Sequence, residues 1–221
     1  MGVTLLDKVQ REFRRRILAP SYPCLGAKAA LHSGSCSVAL YPQLATPATT
    51  EALSRDLREF RQAMPETDDS YSTFVAVFEQ PRKIDETRFE ELLWRQLRQL
   101  HHVDTEPWAA DVSADPADAH FSFSFAGRAF YIVGMHAGSS RRARRFPWPA
   151  LVFNPHAQFE RLRMSGKWKR LQSAIRARDS ALQGNINPML NDFGESSEAR
   201  QYSGRAVEEK WKCPFHSSSS L

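Results

Sequence analysis

Two histidines stand at the ends of strand-like runs and flank the most basic part of the chain. His136 precedes "AGSSRRARR", and His156 follows "LVFNP" directly before a helix-like stretch. A neutral imidazole is a strong ligand for iron, and a heme iron needs only one protein ligand at an axial position. A single histidine is more often a surface or hydrogen-bonded structural residue, so that interpretation stays open for both. The pair is therefore a candidate for iron ligation beside a basic segment.

Four arginines lie between these histidines, in "SSRRARRF": Arg141, Arg142, Arg144 and Arg145. A guanidinium group can donate two parallel hydrogen bonds to a carboxylate or a phosphate. The net charge of the chain is +5, but residues 141–178 hold eleven Lys or Arg and one acid, so they carry +10 and the remainder −5. Such a region indicates an anionic partner or a strongly solvated surface. Nucleic acid is less favoured, because no recognisable nucleic-acid motif accompanies the neighbouring aromatic residues.

Cys24 lies in "YPCLG", ahead of a predicted helix start, where backbone amides and the helix dipole would stabilise a thiolate ligand. A small buried residue at a turn is the simpler interpretation. The chain has three cysteines, an odd number without a CxxC pair, so neither a disulfide framework nor a structural zinc site is indicated. Reduced thiols fit a cytoplasmic protein.

Alternating strand and helix patterns predict the elements that must position these residues. Helices are expected over 3–18, over 49–64 after a threonine cap, over 85–102 after an aspartate cap, and over 156–165 and 167–180. Strands are expected at 35–41, 72–79 and 149–154, and residues 121–136 are expected to form a hairpin that turns at Ala126 and Gly127. Together they predict an α+β fold: a mixed, largely antiparallel sheet covered by helices.

The length and composition predict a single domain spanning residues 1–221. A chain of 221 residues with 42% hydrophobic and 25% charged residues can bury one substantial core. No stretch approaches the roughly 18 apolar residues of a membrane span, and the first residues lack the apolar region of a secretory signal. We therefore expect a cytoplasmic protein with no membrane partner.

Four long motifs carry a resemblance to a known family. They are "YPCLGAKAAL", "GMHAGSSRRARRFPWPALVFNPHAQFERLR", "IRARDSALQGNINPML" and "SEARQYSGRAVEEKWKCPF". Across roughly residues 20–215 the chain resembles the YqcI/YcgG family, and within it the heme-dependent guanidine N-hydroxylases of the pre-guanitoxin N-hydroxylase type. The resemblance implies heme b, dioxygen, an external electron donor and N-hydroxylation of a guanidine such as arginine or an arginine-like amino acid.

Carried onto this chain, the resemblance makes His136 and His156 the axial-ligand candidates, and Cys24 remains the alternative ligand. His136 is slightly preferred, because it precedes the arginines most closely. The arginines at 141–145 would pair with the heme propionates.

A cationic guanidinium substrate requires a carboxylate partner, and the resemblance points to Glu198 first and Asp192 second. Tyr202 lies beside Glu198 and is a further catalytic candidate. Arg200 or Arg205 could hold a substrate carboxylate by a bidentate pair, and a buried salt-bridge network is an equally good interpretation. The functional alternative is a non-enzymatic heme- or anion-binding protein that uses the same basic face.

Overall fold

The computed structural model of this chain describes residues 2–64 and 71–216. Within these ranges the helices are α1 (Leu5–Ile17), α2 (Leu25–His32), α3 (Pro47–Ala63), α4 (Glu86–His102), α5 (His156–Met164), α6 (Trp168–Gln183) and α7 (Ala199–Tyr202). The strands are β1 (Cys36–Gln43), β2 (Thr73–Gln80), β3 (Phe123–Phe125), β4 (Arg128–Met135) and β5 (Ala150–Pro155). One turn of 3-10 helix covers Arg142–Arg144.

The five strands form one sheet in the order β1-β2-β5-β4-β3. β1 and β2 are parallel and joined by α3, whereas β2 with β5, β5 with β4, and β4 with β3 are antiparallel. A parallel pair needs such a crossover connection, and helices supply it here. The α+β class with a largely antiparallel sheet in a single compact domain, predicted from the sequence, is confirmed.

Local sequence signals explain where several elements begin and turn. The Asp85 side chain caps α4 by accepting a hydrogen bond from the Arg88 amide, as predicted. Ala126 and Gly127 both have positive φ, 51° and 69°, which matches the right-handed twist of a two-residue hairpin between β3 and β4. α3 begins earlier than predicted, at Pro47, because Thr46 provides the cap.

The sheet is covered on both faces. Alternate residues of β2 belong to different hydrophobic clusters, with Phe74, Ala76 and Phe78 in one and Val75 and Val77 in the other. The first cluster, the aromatic core, also contains buried side chains of α3 and α4. The second cluster includes Val9, Phe13 and Ile17 of α1 and Leu31 of α2. β2 is therefore an inner strand with two buried faces.

No helix in the described ranges is long and apolar enough to cross a membrane. The cytoplasmic location expected from the sequence stays a prediction. So does the extent of the domain over 1–221, since residues 1, 65–70 and 217–221 lie outside the described ranges.

Candidate functional site

Two adjoining cavities lie on the α1–α2 side of the sheet. The first, the sheet cavity, has a volume of about 220 Å³ and is lined along β4 by Tyr131, Val133 and Met135, with further walls from α1, α2 and α6. The second, the histidine cavity, has a volume of about 150 Å³ and is lined by residues including His156, Phe159, Trp168, Asp192, Glu198 and Gln201. Both cavities are lined by Tyr131, Ile175 and Leu190, so they meet along these side chains.

His156 lies at the joint between β5 and α5, with Pro155 directly before it. The residue is 3% exposed, and neither ring nitrogen has a hydrogen-bond partner among the described residues. Its ring centroid is 4.5 Å from that of Phe193, and its Nε2 atom is 3.8 Å from Oε1 of Glu160. Burial lowers the pKa of His156, so the imidazole is neutral at physiological pH. A neutral, unpaired imidazole on a cavity wall is a ready ligand for a metal.

His136 occupies a different environment, just beyond the end of β4. It is 1% exposed, and its ring stacks on Phe89 with centroids 4.4 Å apart. Its ring nitrogens are also buried without a hydrogen-bond partner in the described part of the chain, but His136 lines neither cavity. The sequence preference for His136, drawn from its closeness to the arginines, gains no support here. The geometry favours His156.

Two of the four predicted propionate-binding arginines line the sheet cavity. Arg141 is 7% exposed and contacts Asp179 at 2.5 Å and the side-chain oxygen of Asn185 at 2.5 Å. Arg144 donates hydrogen bonds to the backbone carbonyls of residues 134, 201 and 202. Both guanidinium groups therefore already have partners, which a bound anion would share or displace.

Arg142 and Arg145 are exposed and line neither cavity. Arg142 donates to the carbonyl of Leu182, and Arg145 donates to the carbonyl of Ser139. The 3-10 turn separates the four arginines into two that face inward and two that face solvent, a division that their adjacency in sequence does not reveal.

Cys24 caps α2 and lines the sheet cavity. Its Sγ atom accepts a hydrogen bond from the Ala27 amide at 3.4 Å, so the predicted position at a helix start is confirmed. The expected stabilisation of a thiolate by backbone amides is outweighed, because burial raises the pKa of the Cys24 thiol more than the amides of Gly26 and Ala27 lower it.

Glu198 precedes α7 and is 5% exposed on the wall of the histidine cavity. The hydroxyls of Ser122 and Tyr202 hydrogen-bond to its Oε1 atom at 2.8 Å and 2.5 Å. Burial raises the pKa of Glu198 to about 8, although the two hydrogen bonds act in the opposite direction. The carboxyl group is therefore mostly protonated at neutral pH.

Tyr202 lines neither cavity and supports Glu198 from within the aromatic core. Its hydroxyl accepts a hydrogen bond from the Phe123 amide at 3.0 Å, which fixes Glu198 to β3. The predicted neighbours Glu198 and Tyr202 are thus in contact, but only the carboxyl group faces the histidine cavity.

Asp192 also lines the histidine cavity, where it forms an ion pair with Arg176 at 3.2 Å and accepts a hydrogen bond from Gln172. Arg163 lines the same cavity, with its guanidinium carbon 5.1 Å from the Trp168 ring and 5.3 Å from the Phe193 ring. Sequence reasoning missed both arginines. They lie on two different helices, α5 and α6, so only the packing of these helices brings both side chains to the same cavity.

Arg200 and Arg205, the predicted carboxylate-binding arginines, do not line the histidine cavity. Arg205 pairs with Glu90 at 2.8 Å, and Arg200 donates to the carbonyl of Glu208 at 2.6 Å. The alternative interpretation, a salt-bridge network that closes the fold, fits Arg205. Both side chains attach the C-terminal segment to the core, and neither is placed to contact a ligand beside Glu198.

In the described residues, no group of three or more His, Cys, Asp or Glu is arranged to hold a metal ion. This geometry argues against a metal site built wholly from protein side chains there. A metal carried within a larger prosthetic group needs only one axial side chain from the protein, and His156 meets that requirement.

The model of the YqcI/YcgG family matches residues 13–216. The chain is 31% identical over 207 residues to the uncharacterised protein YcgG of Bacillus subtilis strain 168, a match that covers 89% of this chain and 81% of the relative. It is 27% identical over 206 residues to the uncharacterised protein YqcI of the same strain, covering 88% and 80%. No solved structure matches this chain significantly. By the extent of the family match and by these relatives, the chain belongs to the YqcI/YcgG family.

Proposed function

We propose that this chain binds heme b and hydroxylates a guanidine nitrogen of arginine or an arginine-like amino acid. The motifs that resemble the heme-dependent guanidine N-hydroxylases suggest this reaction. The observation that carries the proposal is His156, a buried and neutral imidazole without a hydrogen-bond partner in the described residues, on the wall of the histidine cavity, which adjoins the sheet cavity.

The chemical properties of the residues around the cavities suit a heme group. Burying an unpaired polar group is costly unless a ligand satisfies it, and iron would satisfy one nitrogen of His156. Val133, Met135 and Val152 give the sheet cavity an apolar wall for a macrocycle. Arg141 and Arg144 on the same cavity are suited to carboxylate groups at the edge of that macrocycle.

Bound heme would activate dioxygen, and the balanced reaction places one oxygen atom on the guanidine nitrogen and releases the other as water. This conversion consumes two electrons and two protons from outside the substrate. The protein must bind the guanidinium, fix its plane and exclude bulk water. Tyr131, Phe159 and Trp168 supply apolar surface in the histidine cavity for the last of these tasks.

Glu198 is the proposed partner of the substrate cation, and Asp192 is the second carboxylate on the same wall. A guanidinium that donates to the carboxylate of Glu198 favours its ionised form, so binding of the cation would release the proton that burial retains in the empty cavity. Ser122 and Tyr202 then hold the carboxylate in one orientation. Because Asp192 is already paired with Arg176, it has less capacity to accept a new cation.

The absorption spectrum of the purified protein, followed by titration with hemin, tests the cofactor. We expect a Soret band with saturable, stoichiometric uptake in the wild type and in His136→Ala, and its loss in His156→Ala. The circular dichroism spectrum of each variant controls for folding. Absence of saturable uptake by the wild type would exclude the heme proposal, and loss of uptake only in folded His136→Ala would transfer the ligand role to that residue.

Incubation of the heme-loaded protein with dioxygen, a reducing system and a panel of arginine-like compounds tests the reaction. We expect a product heavier by about 16 mass units, the mass of one oxygen atom. The matched neutral analogue of arginine, citrulline, should not react, because it lacks the cation that Glu198 would bind. If no guanidine gains oxygen while the heme remains intact and reducible, the chain is a non-enzymatic heme-binding protein.

A further inference from the structure

The turn between α5 and α6 carries a concentrated positive surface. Residues 161–178 contain seven Lys or Arg and no acid. Lys167, Lys169 and Arg170 are exposed, and none of the three forms an ion pair with a described residue. Met164 stands beside them with 86% of its surface exposed. We call the four residues 164, 167, 169 and 170 the basic corner.

The basic corner belongs to the same helices that wall the histidine cavity. α5 begins with His156, and α6 contributes Trp168, Gln172 and Ile175 to the cavity lining. An α-helix with its side chains is about 10 Å across, so a molecule that docks on the outer surface of these helices lies roughly one helix diameter from the cavity. An external electron donor at this distance would be close to the histidine cavity without occupying it.

We propose that an acidic one-electron carrier protein docks on the basic corner. This inference rests on the proposed function, because N-hydroxylation requires two electrons and the carrier would deliver them one at a time. In each encounter the carrier is oxidised by one electron and the site is reduced by one. A small patch of like charge around one exposed apolar side chain suits a transient interface, in which electrostatic attraction accelerates encounter.

The patch is less suited to nucleic acid or to a membrane. Binding of single-stranded nucleic acid uses aromatic rings that are free to stack on bases. Trp168, which lies between Lys167 and Lys169 in the sequence, instead contacts Phe159 and Arg163 at the histidine cavity. A surface helix that binds a bilayer presents a broad apolar face, whereas the basic corner offers Met164.

Calorimetric titration of the full chain with two acidic carriers, a plant-type [2Fe–2S] ferredoxin and a flavodoxin, tests the proposal. The test variant reverses three charges: Lys167→Glu, Lys169→Glu and Arg170→Glu. The control variant makes the same change in charge at exposed residues of α1 and α4: Lys8→Glu, Arg11→Glu and Arg95→Glu. Titrations with vesicles containing phosphatidylserine and with a random-sequence DNA duplex provide the competing partners.

We expect at least one carrier to bind the wild type, with affinity that falls as salt rises. The test variant should bind it at least about tenfold more weakly, and the control variant within about twofold of the wild type. In the heme-loaded protein, the carrier should reduce the test variant more slowly, whereas reduction by dithionite should proceed at the wild-type rate.

The docking proposal is overturned if neither carrier binds, if both variants weaken binding equally, or if only vesicles or DNA bind through the basic corner. The binding titration does not depend on heme. A chain that binds the carrier through this surface but takes up no hemin would therefore contradict the proposed function alone.

Discussion

On one face of the sheet, Phe74, Phe78 and Phe153 pack with buried side chains of α3 and α4, whereas on the other face Val133 and Met135 border the sheet cavity. The same strands supply both faces, since successive residues of a strand point in opposite directions. The first face is a continuous aromatic core, and the second keeps space between the sheet and its helices. The contrast teaches that stability and the proposed ligand binding can be separated in this fold, because they depend on alternate residues of the same strands.

The strongest test of this separation compares two buried carboxyl groups. Glu90 pairs with Arg205, and Glu90→Gln should lower the free energy of unfolding by about 2 kcal/mol, because the largely buried guanidinium then keeps only its exposed ion-pair partner, Glu208. Glu198→Gln should raise the free energy of unfolding near neutral pH, since glutamine resembles the protonated acid in shape and hydrogen bonding but, unlike it, does not ionise when the chain unfolds. Urea denaturation of both variants measures the difference.

The two variants should affect ligand binding in the opposite order to stability. Glu198→Gln should weaken binding of a guanidinium ligand by about 2–4 kcal/mol, while Glu90→Gln should retain wild-type affinity under conditions where it is folded. Equal loss of stability in the two variants would mean that the ionised carboxylate of Glu198 also stabilises the folded state.

Truncation of apolar side chains should distinguish the two faces next. Leu151→Ala, in the aromatic core, should lower the free energy of unfolding by about 2–5 kcal/mol. Removal of the buried methyl groups leaves a cavity that the surrounding side chains fill only in part. Met135→Ala should cost at least about 1 kcal/mol less, since part of that side chain already borders open space. Thermal and urea unfolding of both variants provide the comparison, and equal losses would indicate that the sheet cavity is closed in solution.

The dependence of stability on pH tests the charge on Glu198 more specifically. In the folded protein the carboxyl group of Glu198 has a pKa of about 8, against the usual 4.5. The stability that its protonated form contributes is therefore complete below pH 4.5 and is lost as pH rises to about 8. Relative to Glu198→Gln, the ligand-free wild type should lose up to about 1.4 kcal/mol per pH unit in this window. Denaturation series from pH 5 to 9 measure this slope.

Ligand affinity should change with pH in the opposite direction. Because a guanidinium pairs with the ionised carboxylate, its affinity should rise by up to about tenfold per pH unit below 8 and level off above that value. Calorimetry with arginine should detect release of about one proton near pH 6.5 in the wild type and none from position 198 in Glu198→Gln. A pH-independent affinity would show that Glu198 is not the partner of the cation.

Cys24→Ser should have the smallest effect. A serine hydroxyl can accept the hydrogen bond from the Ala27 amide that Sγ accepts now, so α2 should remain capped and stability should change by less than about 0.5 kcal/mol. If iron is bound by imidazole, the absorption of the ferrous carbon monoxide complex should also be unchanged. A band well to the red that disappears in Cys24→Ser would assign the ligand role to the thiolate.

Local signals in the sequence were sufficient to predict most of the helices and strands. The periodicity of α4, its Asp85 cap and the turn at Ala126 and Gly127 are short-range features, so they predicted a helix and a hairpin directly. Strand order was not predictable in this way, because the insertion of β5 between β2 and β4 depends on contacts between distant parts of the chain.

The candidate site was partly predictable for the same reason. His156, Asp192 and Glu198 were identified by residue type, and they line one cavity. Arg200 and Arg205 were selected because they adjoin Glu198 in sequence, but short connections turn them towards Glu90 and the C-terminal segment. Arg163 and Arg176 lie on helices whose orientation only tertiary packing determines.

The central position of β5 also constrains the order in which the chain can fold during synthesis. β5 pairs with β2 on one side and β4 on the other, yet it is the last strand to leave the ribosome. Until residue 155 emerges, the crossover unit β1-α3-β2 and the hairpin β3–β4 can form, but each keeps an apolar strand edge open. Pairings across such long sequence separations slow folding, so nascent chains halted before β5 should be the form of this protein most dependent on chaperones.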